Sequence, residues 1–381
     1  MKKCIVISDS FKGTLSSQDI CKIAEENLKD FFPDCTLVKV PVADGGEGTV
    51  ACFYEACGGE LVRVNVQGPY GEPIEAAYLR LGSGEAVVEM AAAAGLPQVG
   101  DRKNPGKTST YGVGQLIRHA VEHGAQQILL GLGGSCTNDG GCGCAAALGA
   151  RFYDDDGNAF IPVGETLSRI AGIDLQEAEM LLQGVHITVM CDIENPMHGI
   201  NGAAYVFAPQ KGADPEMVEF LDQQLQSLDQ SIRSHFGKDV SAVPGAGAAG
   251  GFGAGMMAFF GAELKPGIET VLDLVHFEEL LQGCDVVFTG EGRLDSQSIQ
   301  GKTISGIGKR AHRCGVPVIA VVGGVAEDVE HICDHPEYGV AAVFSINRQA
   351  VDFSVAQHKS YENYTYTFRN ILRLIRMSKE M

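Results

Sequence analysis

Two carboxylates, Glu291 and Asp295, share one short glycine-rich stretch with Arg293 and Lys302. Carboxylate oxygens suit magnesium, which is usually held by one or two such groups plus phosphate oxygens. A guanidinium and an ammonium suit the phosphate or carboxylate of a small anion. The stretch can therefore hold an anion and a metal together. It follows Val286-Val287-Phe288, a β-branched and aromatic run that predicts a buried strand. A helical pattern begins at Ile299. In open α/β sheets, ligands bind beyond the carboxyl ends of the strands. A polar turn and a capped helix would explain the same residues if this loop stood alone.

Three more loops share its design: a strand, then small polar residues with carboxylates, then a helix start. They are residues 9–14, 44–48 and 133–141, beside 290–302 itself. Helix N-termini attract anions through unpaired N–H groups and the helix dipole. Lys12, Lys211, Arg293 and Lys302 can supply positive charge. Asp44, Glu47, Asp139, Asp192, Glu291 and Asp295 can supply magnesium ligands or a base.

Familiar motifs fit poorly. The P-loop requires G-x-x-x-x-G-K-[ST], but Gly301-Lys302-Thr303 has Ser296 at the first glycine position, and Gly106-Lys107-Thr108 has Asp101. Gly245-Ala246-Gly247-Ala248-Ala249-Gly250 satisfies G-x-G-x-x-G, yet residues 239–244 before it make a poor strand. His119-Ala120-Val121-Glu122-His123 matches the inverted zinc-protease motif, but no third ligand is evident downstream. No G-x-S-x-G nucleophile elbow occurs.

The elements that position these loops follow from periodicity. Strands are expected at 3–7, 36–40 and 61–66, with helices between them. Ser16 is the expected N-cap of the first helix, and Ile20, Ile23, Ala24, Leu28 and Phe31 form its apolar face. Residues 74–81 and 85–90 predict an antiparallel pair. Strands at 128–132 and 185–190 run into Gly133 and Cys191-Asp192, and residues 216–236 predict a long helix. Strands at 286–288, 316–322 and 341–344 alternate with helices, and a last helix is expected between 351 and 377. Residues 154–157 read as a solvated turn. These patterns predict a parallel, doubly wound domain built from both chain ends, 1–67 and 284–381, with a second α/β domain, 68–283, inserted in it.

Composition narrows the function. A formal charge of −19 disfavours nucleic acid and anionic membranes as partners, so an anionic substrate must be caught by locally placed cations and backbone N–H groups. The 49 glycines cluster at 45–48, 131–149, 245–255 and 290–301, where backbone can approach a ligand closely. The 12 cysteines include no C-x-x-C, which argues against a metal cluster or a disulfide scaffold. Residues 240–262 carry no charge but are too glycine-rich and too poor in leucine and isoleucine for a membrane span. The N-terminus is too short in apolar residues for a signal peptide.

Taken together, the loops resemble the type I bacterial glycerate kinases over nearly the whole chain. The resemblance rests on Asp9-Ser10-Phe11-Lys12-Gly13-Thr14, Pro41-Val42-Ala43-Asp44-Gly45-Gly46-Glu47-Gly48, Glu89-Met90-Ala91, Gly133-Gly134-Ser135-Cys136-Thr137-Asn138-Asp139-Gly140-Gly141, Pro244-Gly245-Ala246-Gly247-Ala248-Ala249-Gly250 and Thr289-Gly290-Glu291-Gly292-Arg293-Leu294-Asp295. Cys136 and Cys142 stand where smaller side chains are expected. The resemblance implies a flavodoxin-like domain carrying a second α/β domain. It also implies ATP-dependent, Mg2+-assisted phosphorylation of D-glycerate to 2-phosphoglycerate in the cytoplasm.

Loop chemistry then assigns roles. Gly133, Gly134, Ser135, Thr137 and Asn138, with Gly247, Gly250 and Lys302, are the expected ATP-binding residues. Glu291 and Asp295 are expected to hold Mg2+. Asp192 orients the glycerate hydroxyl, and Lys12 and Arg293 bind carboxylate or γ-phosphate. A cleft between the domains that closes on substrate is the expected site. Glycerate and ATP are the expected partners, and a homodimer is left open. The rival readings are a kinase giving 3-phosphoglycerate, an NAD-dependent dehydrogenase resting on 245–250, and a non-catalytic sensor of small acids.

Overall fold

Alternating β-branched strands and amphipathic helices give a mixed α/β structure, seen here in a computed structural model. It describes all residues except Lys12, Ala43, Asp44, Glu47, Gln297, Ile299, Gln300, Gly301, Glu330, Ala350 and Met381, and the side chains of Lys379 and Glu380. The strands in chain order are β1 (Lys3–Ser8), β2 (Thr36–Pro41), β3 (Glu60–Gln67), β4 (Pro73–Arg80), β5 (Glu85–Glu89), β6 (Gln127–Gly131), β7 (Arg151–Tyr153), β8 (Ala159–Phe160), β9 (Gly172–Asp174), β10 (His186–Met190), β11 (Glu263–Lys265), β12 (Val286–Thr289), β13 (Val318–Val322) and β14 (Val340–Ser345).

The chain divides into two units. The first comprises Met1–Ala43, Ala51–Cys57 and Pro266–Met381, the second Asp44–Val50 and Gly58–Lys265. The first unit holds a five-stranded sheet in the order β14-β13-β12-β1-β2, with every pairing parallel. Counted within the unit this is the 2-1-3-4-5 order of flavodoxin-like sheets. Its inner strands β1, β12 and β13 are buried on both faces, as their unbroken apolar runs require, and the edge strands β2 and β14 are largely half-buried. Cys4, Val6, Phe288 and Val321 pack with Ile20, Leu28, Phe368 and Leu372, which come from the helices Ser17–Phe31 and Ser360–Glu380. Ala320 and Val322 face the other way and pack with Ile304 of the helix Thr303–Arg313. The first helix begins in a capping box, with Ser16 Oγ accepting from the Asp19 N–H at 3.0 Å and Asp19 Oδ2 accepting from the Ser16 N–H at 3.0 Å.

The second unit holds a six-stranded sheet in the order β11-β10-β6-β5-β4-β3. Strands β5, β6, β10 and β11 run parallel, and β3-β4-β5 form an antiparallel extension. The helices Tyr111–Glu122, Cys142–Leu148, Pro215–Phe236 and Ala248–Phe260 supply its core, which also takes in Cys142. A small separate sheet, β8-β7-β9, flanks the turn at Asp154, where the Asp154 N–H donates to the Asn158 carbonyl at 3.0 Å.

The boundaries expected from sequence shift at both ends. Strand β3 does not continue the first sheet. It pairs along its whole length with β4, because the turn 68–72 folds the chain straight back, with the Gly68 N–H donating to the Glu72 carbonyl. Residues 266–283 belong to the first unit. There Arg310, which is 9 % exposed, binds Glu269, Asp273 and Glu278 at 3.3, 2.7 and 2.6 Å. The charge-free run 240–262 starts as a loop, exposed at Ala242 and Pro244 and buried at Gly245, Ala246 and Gly247, that leads into the helix Ala248–Phe260, and no described helix is long and apolar enough to cross a membrane.

Candidate active site

In the first unit the chain leaves β1 in one direction, toward β2, and leaves its neighbour β12 in the opposite direction, toward β13. The carboxyl ends of β1 and β12 therefore flank the topological switch point, where such sheets bind ligands. The loop 290–302 starts there. Gly290 is held against β1, its carbonyl accepting from the Asp9 N–H at 2.9 Å and Ser8 Oγ at 3.0 Å. A Cβ at Gly290 would lie 2.0 Å from the Val321 carbonyl oxygen, so only glycine lets the chain pass. Leu294 then pairs with Val325, which fixes the far side of the loop.

Glu291 sits at the centre of this frame, 9 % exposed, and its Oε1 has no hydrogen-bond partner among the described residues. Burial pushes its carboxyl up to about 7. The Ser298 hydroxyl and the Lys302 charge pull it down, while the negative charges of Asp9 and Asp295 push it further up. Asp295 is half-buried and shapes the turn, its N–H donating to Ser298 Oγ at 3.0 Å and its carbonyl accepting from the Ser298 N–H at 2.9 Å. The Arg293 guanidinium is exposed and makes no ion pair among the described residues. Lys302 is the residue before the helix Thr303–Arg313. The loop thus gathers Glu291, Asp295 and Lys302 around one point, with Asp9 beside them. Lys12, Asp44 and Glu47 lie outside the described residues.

No group of three or more His, Cys, Asp or Glu side chains is arranged to hold a metal ion among the described residues. Magnesium does not need one, since phosphates and water complete its shell. A buried carboxylate oxygen without a partner, next to a second carboxylate, fits such an ion.

In the second unit, the carboxyl ends of the parallel strands present Glu89, the loop 131–141 and Asp192. Gly45, Gly46 and Val50 lie against them, and a Cβ at Gly131 would sit 2.6 Å from the Gly45 carbonyl oxygen. The Gly133 N–H donates to that same carbonyl at 2.8 Å. Glu89 accepts from the Val50 N–H at 2.5 Å. Asp192 is half-buried just past β10.

Within the loop, Gly134 turns at φ +74° and is exposed. Ser135, Thr137 and Asn138 are buried behind it. Lys211 reaches in from another turn, donating to Ser135 Oγ at 2.9 Å and the Thr137 carbonyl at 2.7 Å. Thr137 Oγ1 and both ends of the Asn138 amide have no partner among the described residues. Asp139 is fully buried and fully engaged. It accepts from the Thr110 N–H and Oγ1 at 2.8 Å each, the Gly141 N–H at 3.1 Å and the Gly143 N–H at 3.3 Å. These bonds staple the starts of two helices, while burial, the larger influence, still pushes the Asp139 carboxyl above its ordinary value.

The glycines of 245–250 have a different use from the one their pattern suggests. A Cβ at Gly250 would lie 2.2 Å from the Thr137 carbonyl oxygen, and one at Gly247 would lie 2.2 Å from that of Pro196. Ala249, Gly250 and Gly251 all adopt positive φ, at 51°, 73° and 84°, so the backbone can press against 137–140. No strand precedes the segment. The dinucleotide fingerprint therefore lacks both its strand and its open approach, and Gly247 and Gly250 shape the neighbouring loop from behind.

Sequence reasoning gave Ser298 no role, quoted Glu89 only within the family resemblance, and named Lys211 as a cation without a place. Glu89 closes a strand at its carboxyl end, which was a usable signal. Ser298 acts within its own loop, on Asp295, Arg293 and Glu291, and looked like any turn serine. Lys211 was legible as a charge, but its partners Ser135 and Thr137 lie far away in sequence.

A family model described as the glycerate kinase family matches residues 4–376. The glycerate kinase of Bacillus subtilis (strain 168) is 42% identical over 381 residues, covering 100% of this chain and 99% of that one. The glycerate 2-kinase of Escherichia coli (strain K12) is 42% identical over 371 residues, covering 97% of each. The crystal structure of a glycerate kinase 2 candidate from Salmonella typhimurium LT2 superposes with a TM-score of 0.86 at 41% identity, covering 100% of both chains.

Proposed function

This chain belongs to the glycerate kinase family, and we propose that it transfers the γ-phosphoryl group of ATP to the 2-hydroxyl of D-glycerate, releasing ADP and 2-phosphoglycerate. The observation that carries the chemistry is Glu291, a buried carboxylate with one oxygen unpartnered, at a topological switch point. The choice of hydroxyl follows the name of the Escherichia coli relative.

In the first unit, Glu291 and Asp295 hold Mg2+, which would neutralise charge on the phosphates. Arg293 and Lys12 bind the glycerate carboxylate or the γ-phosphate, and Lys302 adds positive charge at the start of its helix. In the second unit, Gly133, Gly134, Ser135, Thr137 and Asn138 bind ATP phosphates, with Gly247 and Gly250 supporting them from behind. Asp192 orients the glycerate hydroxyl and takes its proton as the new O–P bond forms and the bond from γ-phosphorus to the β–γ bridging oxygen breaks. Such a reaction needs positioning and charge neutralisation more than covalent help.

The test is to incubate the protein with ATP, Mg2+ and D-glycerate and to identify the product by NMR. ADP and 2-phosphoglycerate are expected. Accumulation of 3-phosphoglycerate alone would overturn the position of transfer. No phosphoglycerate with any divalent cation would overturn the activity.

A further inference from the structure

We infer that Lys211 makes the Ser135 hydroxyl a charge-assisted donor to an anionic oxygen of a reactant, and so is a positioning residue for the phosphoryl transfer. The inference rests on the kinase reading and deepens it.

Lysine is rarely buried without a paired charge, because desolvating an ammonium is costly. Lys211 is 2 % exposed and has no carboxylate within ion-pair distance among the described residues. Its place is nevertheless fixed. It ends the short turn Pro209–Lys211, and the next residue, Gly212, adopts φ +98°, where a Cβ would lie 2.6 Å from Lys103 Cβ. From there Nζ donates to Ser135 Oγ and to the Thr137 carbonyl.

A serine hydroxyl has one proton and two lone pairs. The ammonium occupies a lone pair of Ser135, so the Ser135 proton points elsewhere, and no described residue accepts it. A hydroxyl that accepts from a cation is a stronger donor. The second bond fixes the carbonyl of Thr137, and with it the peptide leading to Asn138. Both residues are fully buried and keep unpartnered polar atoms. Gly134 brings this end of the loop to solvent. A buried cation, a primed hydroxyl and orphaned polar atoms on one loop suit an oxyanion, and both ATP and glycerate supply one. Burial brings the Lys211 ammonium down to about 8, while Cys136 and Asp139 beside it pull it up. The assisting charge is therefore present at neutral pH and lost above it.

The experiment measures the dissociation constants of Mg2+–ATP and of D-glycerate by calorimetry, and KM and kcat for each, in Lys211→Met, Lys211→Arg, Ser135→Ala and the Lys211→Met/Ser135→Ala double variant. Lys211→Met and Ser135→Ala are each expected to weaken one reactant about tenfold, with a smaller change in kcat. The double variant should be little worse than either single one. With Ser135 placed against the ATP phosphates, Mg2+–ATP is the reactant expected to weaken; a loss confined to glycerate would keep the charge-assisted hydroxyl and move its anion from phosphate to carboxylate. Wild-type affinity for the weakened reactant should fall as pH rises through about 8, and Lys211→Arg should remove that fall. If Lys211→Met does not fold, Ser135→Ala and the wild-type pH profile decide. Unchanged affinity for both reactants in Ser135→Ala, or strictly additive losses in the double variant, would overturn the inference and leave Lys211 as a strut. Binding is read without turnover, so an enzyme that binds its reactants yet makes no phosphoglycerate would defeat the kinase reading alone.

Discussion

The loop after β6 and the loop after β12 are built from similar residues, and each buries a carboxylate behind glycines. Their carboxylates are treated in opposite ways. Asp139 receives four donors and lies wholly inside the fold. Glu291 is left with one oxygen unpartnered and with two like charges pressing on it. Buried polar groups are nearly always hydrogen-bonded, so an exception calls for an explanation. Asp139 holds helix starts together, and its charge is a building material. Glu291 keeps a cost in the fold that a cation or a proton relieves. The distribution of donors, not burial, separates the structural carboxylate from the functional one.

The sharpest way to break this comparison is Glu291→Gln, which keeps the size and removes the charge. Losing a preorganised charge at a reacting centre typically lowers kcat by on the order of a hundredfold or more, and Asp295→Asn should follow in the same direction. Stability should move the other way. Burial raises the folded carboxyl from its ordinary 4.5 to about 7, so the unfolded chain releases its proton first as pH rises. Stability contributed at this site is therefore lost between about 4.5 and 7, and the deficit persists above. Its size is on the order of 3 kcal/mol or less. In metal-free buffer, Glu291→Gln should melt higher than wild type at pH 8 and equally near pH 4.5. A variant that melts lower at pH 8 and turns over normally would make Glu291 another Asp139.

Asp139→Asn tests the other half. An amide cannot accept at both ends, so either the Gly141 N–H or the Thr110 and Gly143 donors must face an NH2 group. A buried donor left unsatisfied costs about 1–3 kcal/mol. A lower Tm is expected, with kcat per folded molecule near wild type. Normal stability with a hundredfold loss of kcat would move Asp139 into the reacting site.

Much of the scaffold was legible because local chemistry decided it. Ser16 and Asp19 form their capping box whatever lies elsewhere, and Val286-Val287-Phe288 is buried on both faces as its composition demands. Strand β3 was legible as a strand but not by partner, since its alternation suits a place beside β2 as well as one beside β4. Strands β7 and β8, at 3 and 2 residues, are too short to show a period. The site was legible as loops and less so as roles. Gly247 and Gly250 are cleared for another stretch of backbone, and a sequence cannot distinguish that from clearance for a phosphate. Lys211 carries no local mark of burial. Asp139 and Glu291 look alike until the donors around them are counted.

The smallest expected effect comes from residues that look catalytic by spacing alone. His119, Glu122 and His123 match a zinc-protease motif, but by the measure that separates Asp139 from Glu291 they serve the fold. His119 Nδ1 lies 3.2 Å from the hydroxyl of fully buried Tyr78, and His123 Nδ1 lies 2.7 Å from the His119 carbonyl oxygen. The two rings stack at 3.9 Å, and Glu122 binds Arg118 at 2.9 Å. Burial, followed by the neighbouring His123, lowers the His119 pKa and so favours its neutral form. Removing His119 leaves the Tyr78 hydroxyl without its ring partner, which should cost about 1 kcal/mol. His123→Ala should cost less, because that ring is exposed. Both variants are expected to keep kcat and zinc content within twofold of wild type, with a slightly lower Tm for His119→Ala. A tenfold loss of kcat accompanied by lost zinc would show that satisfied hydrogen bonds do not mark a structural role, and would remove the ground on which Asp139 and Glu291 are told apart.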